Sequence, residues 1–494
     1  MTRRKLFAFF VATAAACLML GRSSRAQDAQ GLASTNPQRP NFLFILTDDQ
    51  RYDAISCVQK EQGAAARFPW FQTPNMDRLA REGVRFRNAF VTSSLCSPSR
   101  ACFLSGQYNH VNGVVNNHMP FPLDGVISSK LLKQAGYACA YFGKWHQGKQ
   151  KERPGFDTFA SYIAHGRYVD CPVLVNGVRT ETRGWVDDVI TDYAIDFLKT
   201  HTSRHPQQPF DMVVGFKSPH VPRQPPERAK NRFAGQAPRD VPNLQVPAPF
   251  ESLIAALPYA SGENRYANFR GQTPSEFMLD YFRCISAADD CLGRILDTLD
   301  QLGLSDNTMV IYSSDNGYYL REHMLGDKRS AYEESMRIPL LLRYPKLART
   351  KGRTIDAMVL NIDLAPTLLD FASVPIPSAM QGQSWRPLLE GKTSDSQWRP
   401  VFFYEYFYEK TYATPTIIAV RSGDSKLVKY PGHDDWTEMF NLGSDRYEIH
   451  NLANDPAHQS QRKRMEGQLE EQKQAVRYRV PAHADKPNTT SPAH

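Results

Sequence analysis

Five short runs of the chain are largely apolar: Asn41 to Leu46, Ala138 to Trp145, Phe210 to Lys217, Thr308 to Ser314 and Ile338 to Tyr344. A run without polar alternation predicts a strand buried on both faces, as in a parallel sheet. Stretches with helical spacing lie between them: Asn75 to Glu82, Asp187 to Thr200, Pro274 to Leu302 and Ile362 to Phe371. Alternating strands and helices predict an α/β fold, a large mixed, mostly parallel sheet with helices on both faces. Residues 219–275 break this pattern, being rich in Pro and Arg with little periodicity. So long a connector is expected to be functional or packed over the surface. Near residue 396 the pattern changes to short strands at Val401 to Tyr406, Ile417 to Val420 and Lys426 to Tyr430, then a charged helix from about Gln459 to Arg479. These predict a smaller C-terminal domain, an antiparallel sheet plus a helix.

The first 26 residues carry Arg3, Arg4 and Lys5, then an apolar stretch from Leu6 to about Leu20, then Ser24-Arg25-Ala26. That order predicts a secretory signal peptide. A membrane anchor and, through Cys17, a lipoprotein are the alternatives. The apolar stretch is shorter than the roughly 20 residues of a spanning helix, and it continues past Cys17. The expected organisation is a signal at 1–26, a linker at 27–39, a large domain at 40–395, a C-terminal subdomain at 396–480 and a disordered tail at 481–494. The expected destination is outside the cytoplasm, with no stable membrane span after cleavage.

The formal net charge of +8 does not imply a nucleic-acid partner, because five uncompensated positive charges fall in the first 26 residues. The remainder is mixed, as on a solvated surface. Of eight cysteines one is Cys17, leaving an odd number, so at least one has a fate other than pairing. Cys284 and Cys291 would stand roughly 10 Å apart along a helix, too far to bridge. Cys102 and Cys139 sit in apolar contexts and read as buried thiols, and no Cys/His spacing suggests zinc.

Asp48 and Asp49 directly follow the first strand, where ligands bind in open α/β sheets. Adjacent carboxylates repel unless a cation compensates. The arrangement recurs after Thr308 to Ser314, in Asp315-Asn316-Gly317. All four candidate ligands offer oxygen, which favours Ca²⁺, with Mg²⁺ possible, over zinc. Gly317 is expected to let the chain turn sharply after the ligands. Lys144 and His146 lie two apart at a strand end, a spacing that puts side chains on one face. His220 follows another strand, and Lys328 lies in Gly326-Asp327-Lys328. Each alone is compatible with an ordinary loop residue. Their shared position past strand ends makes them a constellation.

The sharpest local motif is Cys96-Ser97-Pro98-Ser99-Arg100, followed by Leu104-Ser105-Gly106. With it the chain resembles the sulfatases of the alkaline-phosphatase-like superfamily. The resemblance extends over nearly the whole mature chain, through Asp48-Asp49, Gly143-Lys144-Trp145-His146, Pro219-His220-Val221-Pro222, Asp315-Asn316-Gly317 and the segment Asn441-Leu442 to Asn451-Leu452. It implies that a formylglycine-generating enzyme oxidises Cys96 to formylglycine (3-oxoalanine). The hydrated aldehyde has two oxygens, one to attack sulfur and one to expel sulfate, where a thiol or serine has a single heteroatom. It implies a cation held by Asp48, Asp49, Cys96, Asp315 and Asn316. Arg100, four residues on, would lie beside the nucleophile. Lys144 and Lys328 would neutralise sulfate oxygens. His146 is the candidate base and His220 the candidate acid. Many relatives carry Gly-Glu-His-Gly before the second lysine. Here Arg321 and Met324 stand in place of small residues, which points to an altered pocket shape.

Arg153 to Asp157, Tyr332 to Ser335, Asn361 to Pro366, Phe402 to Tyr406 and Val114 to Asn117 resemble one branch, bacterial N-acetylglucosamine-6-sulfatases and mucin-desulfating sulfatases. That implies an exo-acting enzyme on a sulfated carbohydrate, exported to the bacterial periplasm or secreted. Asn112, Asn117, His118 and His433 are loop residues able to reach a sugar, or simply to bond their own loops. A sulfatase for uronate 2-sulfate, galactose sulfate, fucose sulfate or an aryl sulfate is the nearest alternative. A phosphatase of the same superfamily would usually carry Ser or Thr as nucleophile and His among its metal ligands. A non-catalytic glycan binder would need a broken site, and every catalytic position is filled.

Overall fold

The computed structural model describes residues 39–255, 272–410 and 412–485. The predicted signal peptide, nearly all of the linker and most of the tail lie outside the described residues. The large sheet contains β1 (Asn41–Thr47), β2 (Val84–Phe90), β3 (Ala138–Lys144), β4 (Thr158–Tyr162), β5 (Val173–Val175), β6 (Val178–Thr180), β7 (Phe210–Gly215), β8 (Thr308–Ser314), β9 (Leu340–Arg343) and β10 (Arg353–Leu360). Its order is β10-β2-β9-β8-β1-β7-β3-β4-β5-β6. The central strands β8, β1, β7, β3 and β4 are all mutually parallel. Strand β9 pairs antiparallel with both neighbours, so the apolar run near 340 is a buried strand of opposite direction.

The absence of polar alternation in β1 has its cause in two cores. Phe42, Phe44 and Leu46 enter one apolar cluster and Leu43 and Ile45 the other. Helices α2 (Val186–Arg204) and α3 (Pro274–Gln301) supply Ile190, Leu198, Ile285 and Leu292 to the second cluster. Helices α1 (Cys96–Ser105) and α4 (Leu364–Phe371) pack on the first. At the start of the connector, residues 219–255 form only short helical turns.

The change of pattern near residue 396 is a change of sheet. Strands β11 (Val401–Tyr406), β12 (Ile417–Ser422), β13 (Ser425–Lys429) and β14 (Glu438–Asn441) form an antiparallel meander. The charged helix α5 (Gln459–Ala475) packs Met465 and Leu469 inward. Phe402, Val420, Leu427 and Met465 share the apolar cluster of the large sheet's first face. All seven described cysteines are free thiols, Cys284 and Cys291 among them. No helix among the described residues is long and apolar enough to cross a membrane.

Candidate active site

Five parallel strands end on one edge, and the residues after them make the site. β8 leads into Asp315 and Asn316, β1 into Asp48 and Asp49, β7 into Lys217 to His220, β3 into His146, and β4 into His165. Gly143 of β3 faces Gly215 of β7. A Cβ on Gly143 would stand 2.0 Å from the Gly215 carbonyl oxygen, so the strands meet this closely only through glycine.

Asp48, Asp49 and Asp315 are buried, and each offers an oxygen within 4.8 Å of the others'. Arg100, on α1, ties them together. Its Nε donates to Asp315 Oδ2 at 2.8 Å, its Nη2 to Asp48 Oδ2 at 3.1 Å and its Nη1 to the Lys144 carbonyl at 2.7 Å. Lys144 is ion-paired with Asp48. Lys328 Nζ donates to Asp49 Oδ1 at 2.6 Å, and Asn316 Nδ2 to the same oxygen at 2.7 Å. Burial would raise Asp48, but Lys144, Arg100 and Lys328 outweigh it and hold this carboxyl far below the ordinary range. Burial and the Asp48 charge push Asp315 up to about 7.

These residues fit a hard cation. Asp49 Oδ2 and Asn316 Oδ1 are buried oxygens without a hydrogen-bond partner. Each such acceptor costs about 1–3 kcal/mol if nothing meets it. Crowded carboxylates together with orphaned oxygens are what a divalent ion repairs. A second buried group, His323, Glu334 and Glu448, also converges within 4.8 Å. There Lys426 Nζ already stands 2.7 Å from Glu448.

Cys96 opens α1, with Leu95 extended before it. Its Sγ lies 3.7 Å from Asp48 Oδ1. Cys96, Asp48 and His220 each place one donor atom within 4.8 Å of the others'. Burial and the Asp48 charge push the thiol far above its ordinary range, so an unmodified Cys96 is a poor nucleophile. His146 keeps Nδ1 without a partner. Burial and Lys144 hold both His146 and His220 well below the usual histidine range.

Three expectations change in detail. β3 ends at Lys144, and His146 has a φ of 49°, so a turn beyond the sheet, not strand alternation, places its ring. Gly317 is absent from the left-handed positions. Its need is closeness: a Cβ there would stand 2.0 Å from the Glu334 carbonyl oxygen. The lysines sit on carboxylates in this structure, Lys144 on Asp48 and Lys328 on Asp49.

The candidate sugar contacts divide. Asn117 Oδ1 accepts from Ser97 N at 3.0 Å, which fixes the start of α1. Asn112 is buried and bonds within its own loop. His118 is exposed. The His433 ring stacks on Trp436 at 3.9 Å. Sequence reasoning missed His165, Lys217 and Gln147, whose Nε2 donates to the Ser97 carbonyl at 3.0 Å. Lys217 and Gln147 neighbour noted motifs, and only recognition of β4 would have drawn attention to His165.

The loop between Asn316 and Lys328 is strained at Arg321, His323 and Met324, all with positive φ. Glu322 anchors it. Its carboxylate pairs with Arg51, at 2.6 Å, and with Arg67, and accepts from Leu320 N at 2.6 Å. Burial opposes ionisation, but the two arginines lower this acid from 4.5 to about 2. Its contribution to stability is therefore full above pH 4.5 and is lost as pH falls toward 2. Glu322→Ala is expected to destabilise the fold by ~3–5 kcal/mol at neutral pH, because buried Arg67 loses its carboxylate partner and Arg51 is left with Asp53 alone. Chemical denaturation of both proteins measures it, and the difference should narrow on acidification.

The fold and this cluster are those of a sulfatase. The model of the sulfatase family matches residues 40–374, and that of the N-sulphoglucosamine sulphohydrolase C-terminal region matches residues 321–475. The chain belongs to the sulfatase family and is an enzyme of sulfate-ester hydrolysis. It is 34% identical to an N-acetylglucosamine-6-O-sulfatase of Bacteroides thetaiotaomicron, over 90% of this chain and 89% of the relative. It is 27% identical to an ulvan-active sulfatase of Formosa agariphila, over 88% of this chain and 81% of the relative. A solved relative in complex with its substrate D-glucosamine-2-N,6-O-disulfate superposes with a TM-score of 0.78 at 32% identity, covering 89% of this chain and 98% of that one.

Proposed function

We propose that this sulfatase removes the 6-O-sulfate from terminal N-acetylglucosamine of a sulfated glycan, with formylglycine at position 96 and a divalent cation, Ca²⁺ before Mg²⁺. The observation that carries the chemistry is a buried Cys96 at 3.7 Å from Asp48, beside orphaned oxygens on Asp49 and Asn316. The similarity to the N-acetylglucosamine-6-O-sulfatase and to the glucosamine disulfate complex supports the sugar.

Formylglycine supplies a hydrated aldehyde, one oxygen to bond sulfur and one to release sulfate. A cation held by Asp48, Asp49, Asp315 and Asn316 supplies Lewis acidity. Arg100 holds Asp48 and Asp315 in register. Each ammonium, Lys144 and Lys328, keeps donors beyond its carboxylate bond for sulfate oxygens. His146 takes the proton that releases sulfate, and His220, beside position 96, gives one to the departing sugar oxygen, the negative charge of the bound sulfate ester favouring its protonated form against Lys144. The first 26 residues support export to the periplasm or beyond, after maturation by a formylglycine-generating enzyme.

A panel of sulfated mono- and disaccharides, given to enzyme produced with that partner, tests the reading. Sulfate release from N-acetylglucosamine 6-sulfate, and not from uronate 2-sulfate, is expected. Release from uronate, galactose or fucose sulfate alone would sink the sugar assignment, and faster cleavage of an aryl phosphate than an aryl sulfate would sink the chemistry.

A further inference from the structure

The loop after β4 puts a third imidazole into the site. The His165 ring lies between those of His146 and His220, with centroids 4.1 Å and 4.5 Å away. Its Nδ1 is 3.4 Å from Lys144 Nζ. The other two rings are almost fully buried, whereas His165 is half-buried. The loop is built to hold this position. Lys217 Nζ donates to the His165 carbonyl at 2.9 Å, and the Tyr168 hydroxyl to the His220 carbonyl at 2.9 Å. Ala164 takes a left-handed φ of 54°, which a side chain rarely adopts. A Cβ on Gly166 would stand 2.5 Å from the Tyr162 ring.

We infer that His165 is a positioning residue for sulfate transfer: its Nδ1 accepts from Lys144 and its ring keeps His146 and His220 apart. The inference rests on the sulfatase chemistry above and adds a residue to it. Lys144 is drawn toward Asp48 by an ion pair. An acceptor on the far side of the ammonium fixes its direction, so that a remaining proton faces the sulfate. The same ring fills the space between two histidines of different roles, and so prevents either from turning toward the other. Burial and the Lys144 and Lys217 charges hold His165 well below the usual histidine range, consistent with an unprotonated Nδ1.

The test compares His165→Ala and His165→Asn in matured, calcium-loaded enzyme. Asn offers an acceptor oxygen near the place of Nδ1. His165→Ala is expected to lower kcat/KM by about 10²-fold. The loss should fall mainly in kcat, as removal of a transition-state alignment does. His165→Asn should recover most of it. Both should keep the wild-type Tm, formylglycine occupancy and bound calcium. Wild-type kcat in His165→Ala would overturn the inference. So would equal impairment in both variants, or a loss that tracks a fall in Tm. The ratios are read on an aryl sulfate as well as on N-acetylglucosamine 6-sulfate. Turnover of the aryl ester alone would refute the sugar assignment while leaving the His165 ratio measurable. Turnover of neither ester would refute both.

Discussion

Enzyme carrying Cys96→Ala is expected to lose at least ~10⁴-fold in kcat/KM while folding as the wild type. The site explains both halves. Position 96 is the first residue of α1, fully buried beside Asp48, and its side chain contributes only a weak 3.7 Å contact. Its removal costs little packing. The same expectation holds for wild-type chain produced without the maturing enzyme, because the buried thiol is kept protonated by burial and by Asp48. Cys96→Ser separates the two steps. One hydroxyl can attack sulfur once, but no second oxygen is present to expel sulfate. The variant should release at most one equivalent of desulfated product and gain the mass of one SO₃ group. Intact-mass spectrometry after incubation with substrate reads this directly. Multiple turnovers by Cys96→Ser, or full activity in Cys96→Ala, would contradict a nucleophile at this position.

Most of the candidate site was legible because its parts follow strands that announce themselves. β1, β3, β7 and β8 are apolar on both faces, and Asp48, Lys144, His220 and Asp315 stand at their ends or within a few residues past them. What stayed hidden lay after elements with weaker patterns. β4 reads Thr-Phe-Ala-Ser-Tyr, too short and mixed to mark as a buried strand, so His165 had no context. β2 reads Val-Arg-Phe-Arg-Asn-Ala-Phe, with polar residues among its buried ones, and was likewise silent. The bond from Glu322 to Arg51 spans 271 residues and follows no local spacing. Gly317 shows the complementary failure. A glycine in sequence announces freedom, but whether a turn or a close neighbour needs it is decided by a segment far away, here Glu334 and Ser335.

Chelation should abolish activity, and calcium should restore it and raise Tm. The cluster contains three carboxylates, Asp48, Asp49 and Asp315, and three cations, Arg100, Lys144 and Lys328, so its formal charge is near zero. A neutral site with its lysines committed to carboxylates has little attraction for a sulfate monoester. A divalent ion turns the same residues into a site with two net positive charges, so chelation is expected to raise KM as well as lower kcat. Asp49→Asn tests the assignment at one residue. Asp49 presents the orphaned Oδ2 and also holds Lys328 and Asn316 through Oδ1. Replacing one oxygen with an NH₂ group removes a ligand and a charge while nearly preserving shape. The variant is expected to lose at least ~10²-fold in kcat/KM, beyond the 10–100-fold typical of partners that only orient a metal's ligands. The calcium-dependent rise in Tm should shrink with it, since that rise measures preferential binding to the folded state. Full activity in thoroughly chelated enzyme, or an undiminished calcium response in Asp49→Asn, would remove the cation from this cluster and leave the orphaned oxygens of Asp49 and Asn316 to another partner.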